Sequence, residues 1–521
     1  MAYQTTPEID FSAVGLITDQ PAHALPQGAW SDCLNIRVKD GSVQGVNDFE
    51  SSIGLPSVYS GGEIVALTQW TPAGSTFLNI AYVLKDTAST STTKGRVFVY
   101  NTDTDVHEEI TNALSDANFE IDDKYPPQLF VFNGLLICNP GTQKPQYISA
   151  DATTAGTLQD LPGWVGMAGS QFARVLKPFK NRLIAMSFYD DNNTIATSDD
   201  SAYPIDLGWS SHITALDSLS GVSWQASSTN TAGDAFLTQT PGRILDGGQL
   251  GEYFIAYKTD AVIRVYETGD SSVLGFDSIF EDDGLYSSRC FANIGDSQHL
   301  VIGNYGVYIH DGQSSRQDIA KGLFQDAMFN LVKGTDKERS FVFQQTRDKE
   351  VWFCFRETST TGSGTNKAFV FNYNDQKVHI RSIPGLSDLI ETELEGSLKI
   401  FGAKGNDGIY ELSPTALVSG GWFSRIEDTL DTNETVKGIS TVYPQCKDNV
   451  YLSVVGNSTK VTSSEMETAF TANNKLFNPS SNYKMDVRES GRYLNLKVTM
   501  DGTSNPKLTT MQFTLKGAGR R

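Results

Sequence analysis

Cysteine is scarce in this sequence: five residues in 521 (Cys33, Cys138, Cys290, Cys354, Cys446), odd in number, dispersed, with no CxxC pair. That excludes a disulfide framework or a zinc knuckle and predicts small buried hydrophobes of a protein made in a reducing cytosol. Long hydrophobic runs are also missing; none approaches the roughly 18 residues a membrane span needs. The opening MAYQTTPEIDFSAVG has neither a basic nor an apolar leader region, so no secretory signal is expected. Basic residues are outnumbered, 41 Lys and Arg against 61 Asp and Glu, for a formal charge of −20. A protein that grips nucleic acid needs the opposite balance, because cations must displace the counterions of the phosphates. The six histidines (His23, His107, His212, His299, His310, His379) form no HExxH motif. His299 and His310 face each other across a predicted hairpin and read as hydrogen-bonded strand histidines, not as metal ligands. Well-capped amphipathic stretches longer than about three turns are absent as well.

What the sequence does have is aromatic residues (11%), 46 glycines and a repeat. Aromatic and β-branched side chains suit a pleated surface and glycine suits its turns, so the chain is predicted to be all-β. One unit recurs: a short strand, a turn, an apolar central strand, a third strand and a polar outer strand. Its first copy reads Ile64–Trp70, Phe77–Leu84, Arg96–Asn101, Val106–Ile110. Later central strands are expected at Leu135–Cys138, Leu183–Phe188, Tyr253–Tyr257, His299–Gly303, Val351–Phe355 and Leu398–Phe401. Such a unit cannot bury both its faces alone, whereas units stacked radially cover one another and leave few open edges. The expected architecture is therefore a β-propeller over residues 61–428. Seven blades are expected, with six as the alternative, because the second unit (Leu129–Ala150) shows only three clear strands. Residues 1–60 are expected to form an N-terminal segment packing on the propeller, and residues 429–521 a small β-sandwich-like domain. Asp151–Ser170 reads as a connector and Asp217–Asp234 as a long surface loop.

Residues that carry chemistry are few. Acidic clusters occur at Asp190-Asp191, Asp199-Asp200 and Glu281-Asp282-Asp283. Paired carboxylates hydrolyse glycans in some propellers, but the Ser-x-Asp-x-Gly-x-Thr-Trp box of sialidase-type blades is missing. Asn101, Asp103 and Asp105 offer oxygen ligands for calcium without the glycine and distal glutamate of an EF-hand loop. Glycine-rich GSGTN (Gly362–Asn366) lacks the lysine of a phosphate-binding loop and reads as a hairpin tip. No catalytic residue, cofactor or metal is assigned.

Three stretches resemble the tail nozzle proteins of short-tailed bacteriophages, the family also described as tail tubular protein B-like or phage stabilisation proteins. EDDGLYSSRCFANIGDSQHLVIGNYGVYIHDGQSSRQDI (Glu281–Ile319) is similar to that family's signature through Gly284, Ser288, Arg289, Gly306, Val307, Tyr308, Asp311, Gly312 and Ile319. LPQGAWSDCLNIRVKDGSV (Leu25–Val43) resembles its N-terminal segment through Asn35, Arg37, Asp40 and Gly41. PFKNRLIAMSFYDDNNTIATSDDSAYPIDLGW (Pro178–Trp209) resembles its Asn-Arg-Leu strand through Asn181, Arg182 and Leu183. Asp40-Gly41 and Asp311-Gly312 read as tight turns, and Arg182 and Arg289 as ties between blades.

The resemblance implies a non-enzymatic virion protein, assembled in the host cytoplasm into a homo-hexameric ring beneath the portal and adaptor. There it extends and closes the DNA-ejection channel, passing double-stranded DNA without specific binding; contact with tail fibres stays open. Six copies at −20 each come to −120. An acidic wall lets DNA slide, since the duplex carries a charge for about every 1.7 Å. Candidate gate loops are Asp86–Lys94, with Thr87, Ser89 and Thr92, and Thr358–Asn366, with Gly362 and Gly364; both are rich in Ser, Thr and Gly. The alternative is a virion-surface propeller that binds or hydrolyses host glycans.

Overall fold

The computed structural model describes residues 4–59, 61–72, 78–86, 94–111, 119–148, 157–164, 171–190, 201–215, 218–359, 364–394, 396–428, 436–502 and 505–517. Period-two alternation in the short segments produces antiparallel strands, and the tight polar turns between them produce meanders. Five such meanders follow one another at 63–109, 128–160, 171–236, 244–280 and 291–318, here blades 1 to 5. Each is a sheet whose strands pair in sequence order. The second strand of a blade has neighbours on both sides and on both faces, which is why Leu135–Asn139 and Glu350–Phe355 are buried at every position. All seven central strands expected from the sequence are present, from Asn79–Asp86 to Ser397–Lys404.

Blades 6 and 7 are fused. One 18-residue strand, Lys377–Leu394, pairs through residues 377–386 with Thr365–Asn372 and through residues 386–394 with Ser397–Lys404. It is at once the outer strand of blade 6 and the inner strand of blade 7, bent at Pro384 and Gly385, the latter at φ 71. Blade 7 then takes its outer strand from the other end of the chain, as Asn47–Ile53 pairs with Gly408–Leu417. Its inner strand packs against Glu63–Trp70 of blade 1, and the ring of seven closes. Sequence reading placed residues 47–53 outside the propeller and 422–428 inside it. Strand pairing reverses both: Trp422–Asp428 joins Tyr493–Met500 and Asp32–Leu34 in a separate sheet.

That sheet is one of two five-stranded sheets of a β-sandwich-like unit. The second holds Thr510–Gly517, Lys437–Pro444 and Met485–Gly491, with Gln4–Thr5 and Glu8–Asp10 on its edge. Their apolar faces share one cluster, which includes Phe423, Val442, Leu452, Val498 and Phe513. The unit is thus built from both ends of the described chain, and residues 4–45 belong to it as much as they pack on the ring. One other expectation changes. The described part of the loop 217–234 is not a free surface loop: Leu219, Val222 and Trp224 are buried against blades 2 and 3, with Trp224 edge-on to Trp164 at 4.7 Å. A ten-residue helix, Ser463–Ala472, lies in the C-terminal unit, started by a capping box between Thr462 and Glu465. The five cysteines are all unpaired and four are buried. Among the described residues no helix is long and apolar enough to cross a membrane.

Candidate functional site

The residues of the signature stretches fall into turns, close approaches and ties between blades. Asp40 and Gly41 (φ 51 and 66) turn the hairpin Ile36–Lys39/Ser42–Gly45, as a two-residue turn with positive φ at both positions requires. Asn35 docks this hairpin on blade 6: its N–H donates to Ile380 O (2.9 Å) and its Oδ1 accepts from the Ser382 N–H (2.6 Å). Arg37 reaches the same blade through Asp348 (2.8 Å) and Glu350 (3.5 Å). In blade 3, Asn181 O accepts from the Ile213 N–H, and the N–H of buried Leu183 donates to Ser210 Oγ (3.0 Å). Arg182 donates to Ser210 O and Thr231 O and lies 3.6 Å from Glu267 of blade 4.

The longest signature stretch surrounds blade 5. A Cβ on Gly284 would stand 2.1 Å from Lys258 O, so only glycine lets the linker lie against blade 4. Gly306 closes the turn with Gly303 (2.8 Å), and buried Val307 and Tyr308 follow, the Tyr308 hydroxyl donating to Gly284 O. Ile319 N–H donates to Val307 O (2.9 Å). Asp311 caps the next turn through the Gln313 N–H (3.0 Å), with Gly312 at φ 79. Ser288 is buried and its hydroxyl meets no partner among the described residues.

Arg289 stands at the centre of the wheel. Its backbone is left-handed (φ 61), a conformation that costs a non-glycine residue energy and persists only where surrounding contacts enforce it. Its N–H donates to Asp246 Oδ2 of blade 4 (2.8 Å), and its C=O accepts from the Val342 N–H of blade 6 (2.7 Å). The guanidinium lies 5.3 Å over the Phe341 ring and 3.6 Å from Asp388 of blade 7. Asp388 in turn accepts the Leu67 N–H of blade 1 (2.8 Å), while fully buried Asp246 takes Lys177 of blade 3 at 3.1 Å. Burial raises the Asp388 carboxyl above its ordinary range, and Arg289 is the main opposing influence. One polar chain therefore links six of the seven inner strands or their leads. Close by, Arg339 of the blade 6 lead and Lys85 of blade 1 both hold Asp123 of the blade 2 lead (2.6 and 3.0 Å). The axis of a single ring is thus tied shut by charge.

His299 and His310 are directly cross-strand and share the Tyr257 hydroxyl, at 2.8 and 2.7 Å. The geometry fixes every proton. His299 Nε2 donates to Gln249 O (3.1 Å), so its Nδ1 accepts from Tyr257; His310 Nδ1 accepts from the Gly312 N–H (3.1 Å), so its Nε2 donates to Tyr257. Burial lowers His299 to about 4 and, with His299 beside it, His310 to about 3. Their folded values lie below the unfolded value near 6.5, so the unfolded chain takes up protons first and stability falls as the pH drops from 6.5 toward 4. By pH 4 the expected loss is about 3 kcal/mol from His299 alone. Thermal melts across that range check it, with the imidazole resonances followed by NMR; histidines titrating near 6.5 would contradict it.

No protein-family model matches this sequence, and no curated protein matches it. Solved structures do. The WD40 β-propeller domain of Doa1 aligns at TM-score 0.35 and 9% identity, over 71% of this chain and 96% of that one. The WD40 domain of Neurospora crassa Pan2 aligns at 0.37 and 8%, over 72% and 96%. An ancestral GH74 enzyme aligns at 0.33 and 8%, over 75% of this chain and 49% of that one.

The remaining sequence candidates separate. The strands that carry both proposed gate loops end on the same face of the ring, where the chain enters the inner strands. Thr87, Ser89, Thr92 and Gly362 lie outside the described residues. Gly364 is described, at φ 79, where a Cβ would stand 2.4 Å from Gly385 O. Asn101, Asp103 and Asp105 form a turn: Asn101 Oδ1 accepts the N–H groups of Asp103 and Thr104, and Asp105 accepts the Tyr100 hydroxyl. Among the described residues no cluster of three or more candidate metal ligands exists. Of the acidic clusters, Asp282 pairs with Arg316 (2.8 Å) and Asp283 accepts the Asn304 N–H (2.8 Å); Asp191, Asp199 and Asp200 lie outside the described residues.

One carboxyl that sequence reasoning missed is Asp206, 8% exposed on the third strand of blade 3. Burial, and then the charge of Asp234 on the neighbouring strand, raise it to about 7. Nothing local in the sequence marks it, because its partner stands 28 positions away across a strand pair.

Proposed function

We propose that the chain is a structural virion protein, a building block of a short phage-tail nozzle in which six copies ring the DNA path. What supports this reading is the resemblance over three stretches and the use their residues are put to. Asn35, Arg37, Arg182 and Arg289 all fasten one element to another, as expected where a signature records assembly and not catalysis. The axis of one propeller is occupied by ion pairs, so the conduit of this reading lies between copies, not within one. The charge of −20 per copy suits a wall past which DNA slides, with repulsion acting over roughly 8 Å at physiological salt.

Light scattering of the purified protein, with and without the adaptor ring of the same virion, tests the reading. A single species that becomes a six-copy ring on the adaptor is expected. A protein that stays monomeric with the adaptor present contradicts it.

One observation favours the glycan-cleaving alternative: an acid protonated near neutrality beside a second carboxyl is the pairing such hydrolysis uses. Release of reducing sugar from host surface polysaccharide, lost in Asp206→Asn, is the outcome that would replace the nozzle with that reading. Under the proposal neither protein releases sugar.

A further inference from the structure

The face of the ring that leads into the inner strands holds a cleft of about 420 Å³, beside the closed axis. Its walls come from the leads into blades 2, 4, 5 and 6 and from the second-to-third-strand turns of blades 4 and 5. Three cations line it: Lys124, Arg243 and Lys337. Cations elsewhere in the ring are commonly neutralised; Arg339, two residues from Lys337, holds Asp123 at 2.6 Å, and Arg356 holds Asp336 at 2.8 Å. Among the described residues none of the three cleft cations has a carboxylate within 4 Å. Instead, two of them lie against tyrosines. Arg243 donates to the Tyr125 hydroxyl (3.0 Å), and Lys337 stands 5.7 Å from the Tyr286 ring centre. A third tyrosine on the cleft wall, Tyr305, is 70% exposed. Asp260 and Glu338 also line the cleft, and Asp260 already accepts the Thr259 hydroxyl (2.7 Å). The cleft therefore carries three positive against two negative groups in a chain with 20 more acids than bases. Ser288, 6% exposed, lines the same cleft, and its hydroxyl has no protein partner among the described residues.

We propose that this cleft binds a small phosphorylated ligand, its phosphoryl group held by Lys124, Arg243 and Lys337 and its organic part set against the tyrosines. Three cations exceed what the two oxygens of one carboxylate take up, and they match the three oxygens and nearly two charges of a phosphoryl group. The volume is in the range of clefts that enclose a small organic molecule and exceeds what a bare phosphate ion fills. The inference is independent of the nozzle reading, since it rests on one face of one copy.

Titration calorimetry on the full chain tests it, with inorganic phosphate, glucose 6-phosphate and glucose as probes. Both phosphates are expected to bind, glucose 6-phosphate at least tenfold tighter than inorganic phosphate, and glucose is expected to give no heat. Lys337→Ala is expected to weaken glucose 6-phosphate binding at least tenfold with an unchanged melting temperature, because Lys337 holds no ion pair in the fold. Absence of binding by inorganic phosphate overturns the proposal. So does equal binding of the two phosphates, unaltered binding by the variant, or a single-stranded oligonucleotide that binds more tightly than the sugar phosphate.

Discussion

Deleting residues 1–53 is expected to abolish the cooperative fold altogether, not to trim an appendage. The deletion removes the outer strand of blade 7 and bares the edge of Gly408–Leu417. It also takes the partners of Trp422–Asp428 and of Thr510–Gly517 out of both sandwich sheets. Exposed strand edges pair with other chains, so the truncated protein is expected to aggregate. A single substitution grades the effect. Trp30 is fully buried, donates to Phe11 O (2.9 Å) and stacks on Phe423 at 5.1 Å, which joins the N-terminal segment to the C-terminal unit. Trp30→Ala is expected to cost about 4 kcal/mol, a large share of the roughly 5–15 kcal/mol that separates folded from unfolded chains. Denaturant melts of both proteins measure this. A truncated chain that stays soluble and melts near the full-length temperature would show that the N-terminal segment is only an arm.

Arg289→Ala is expected to destabilise the ring by about 1–3 kcal/mol, because it leaves the partly buried Asp388 beside the inner strands without its cation. The backbone bonds to Asp246 and Val342 survive the change, so the loss reports the guanidinium. Lysine is not expected to rescue it, since a single ammonium replaces neither the planar stack over Phe341 nor the bond to Ser387 O. Asp388→Asn in the Arg289→Ala background is expected to recover part of the loss by removing the stranded charge. A double-mutant cycle from urea melts supplies these numbers. Additive effects would mean that the two side chains do not act as a pair.

The blades were legible because each is local. A central strand such as Val351–Phe355 and the turn Thr346–Lys349 before it are set by adjacent residues, and the apolar run announces burial on both faces. Ring closure was not legible. Asn47–Ile53 has only two apolar residues, Phe49 and Ile53, and its partner begins some 350 positions later, so no local feature of either segment names the other. The fusion of blades 6 and 7 was hidden for the opposite reason: Pro384-Gly385 reads as a break, while the bent strand runs through it. The helix at Ser463–Ala472 was readable from Thr462-Ser-Ser-Glu465, the spacing of a capping box. At the candidate site the turns at Asp40-Gly41 and Asp311-Gly312 follow from residue type. The chain Lys177–Asp246–Arg289–Asp388 does not, because it is assembled from four blades. The cleft cations escaped notice likewise, each alone in its own lead.

The nozzle reading stands or falls on where the protein sits in an assembled particle. Cryo-electron microscopy of virions at side-chain resolution decides it. The account predicts six copies around the DNA path below the adaptor ring, with Asp and Glu outnumbering Lys and Arg on the wall facing the duplex. Copies on the outer surface away from that path, or a duplex-facing wall dominated by Lys and Arg, would contradict it.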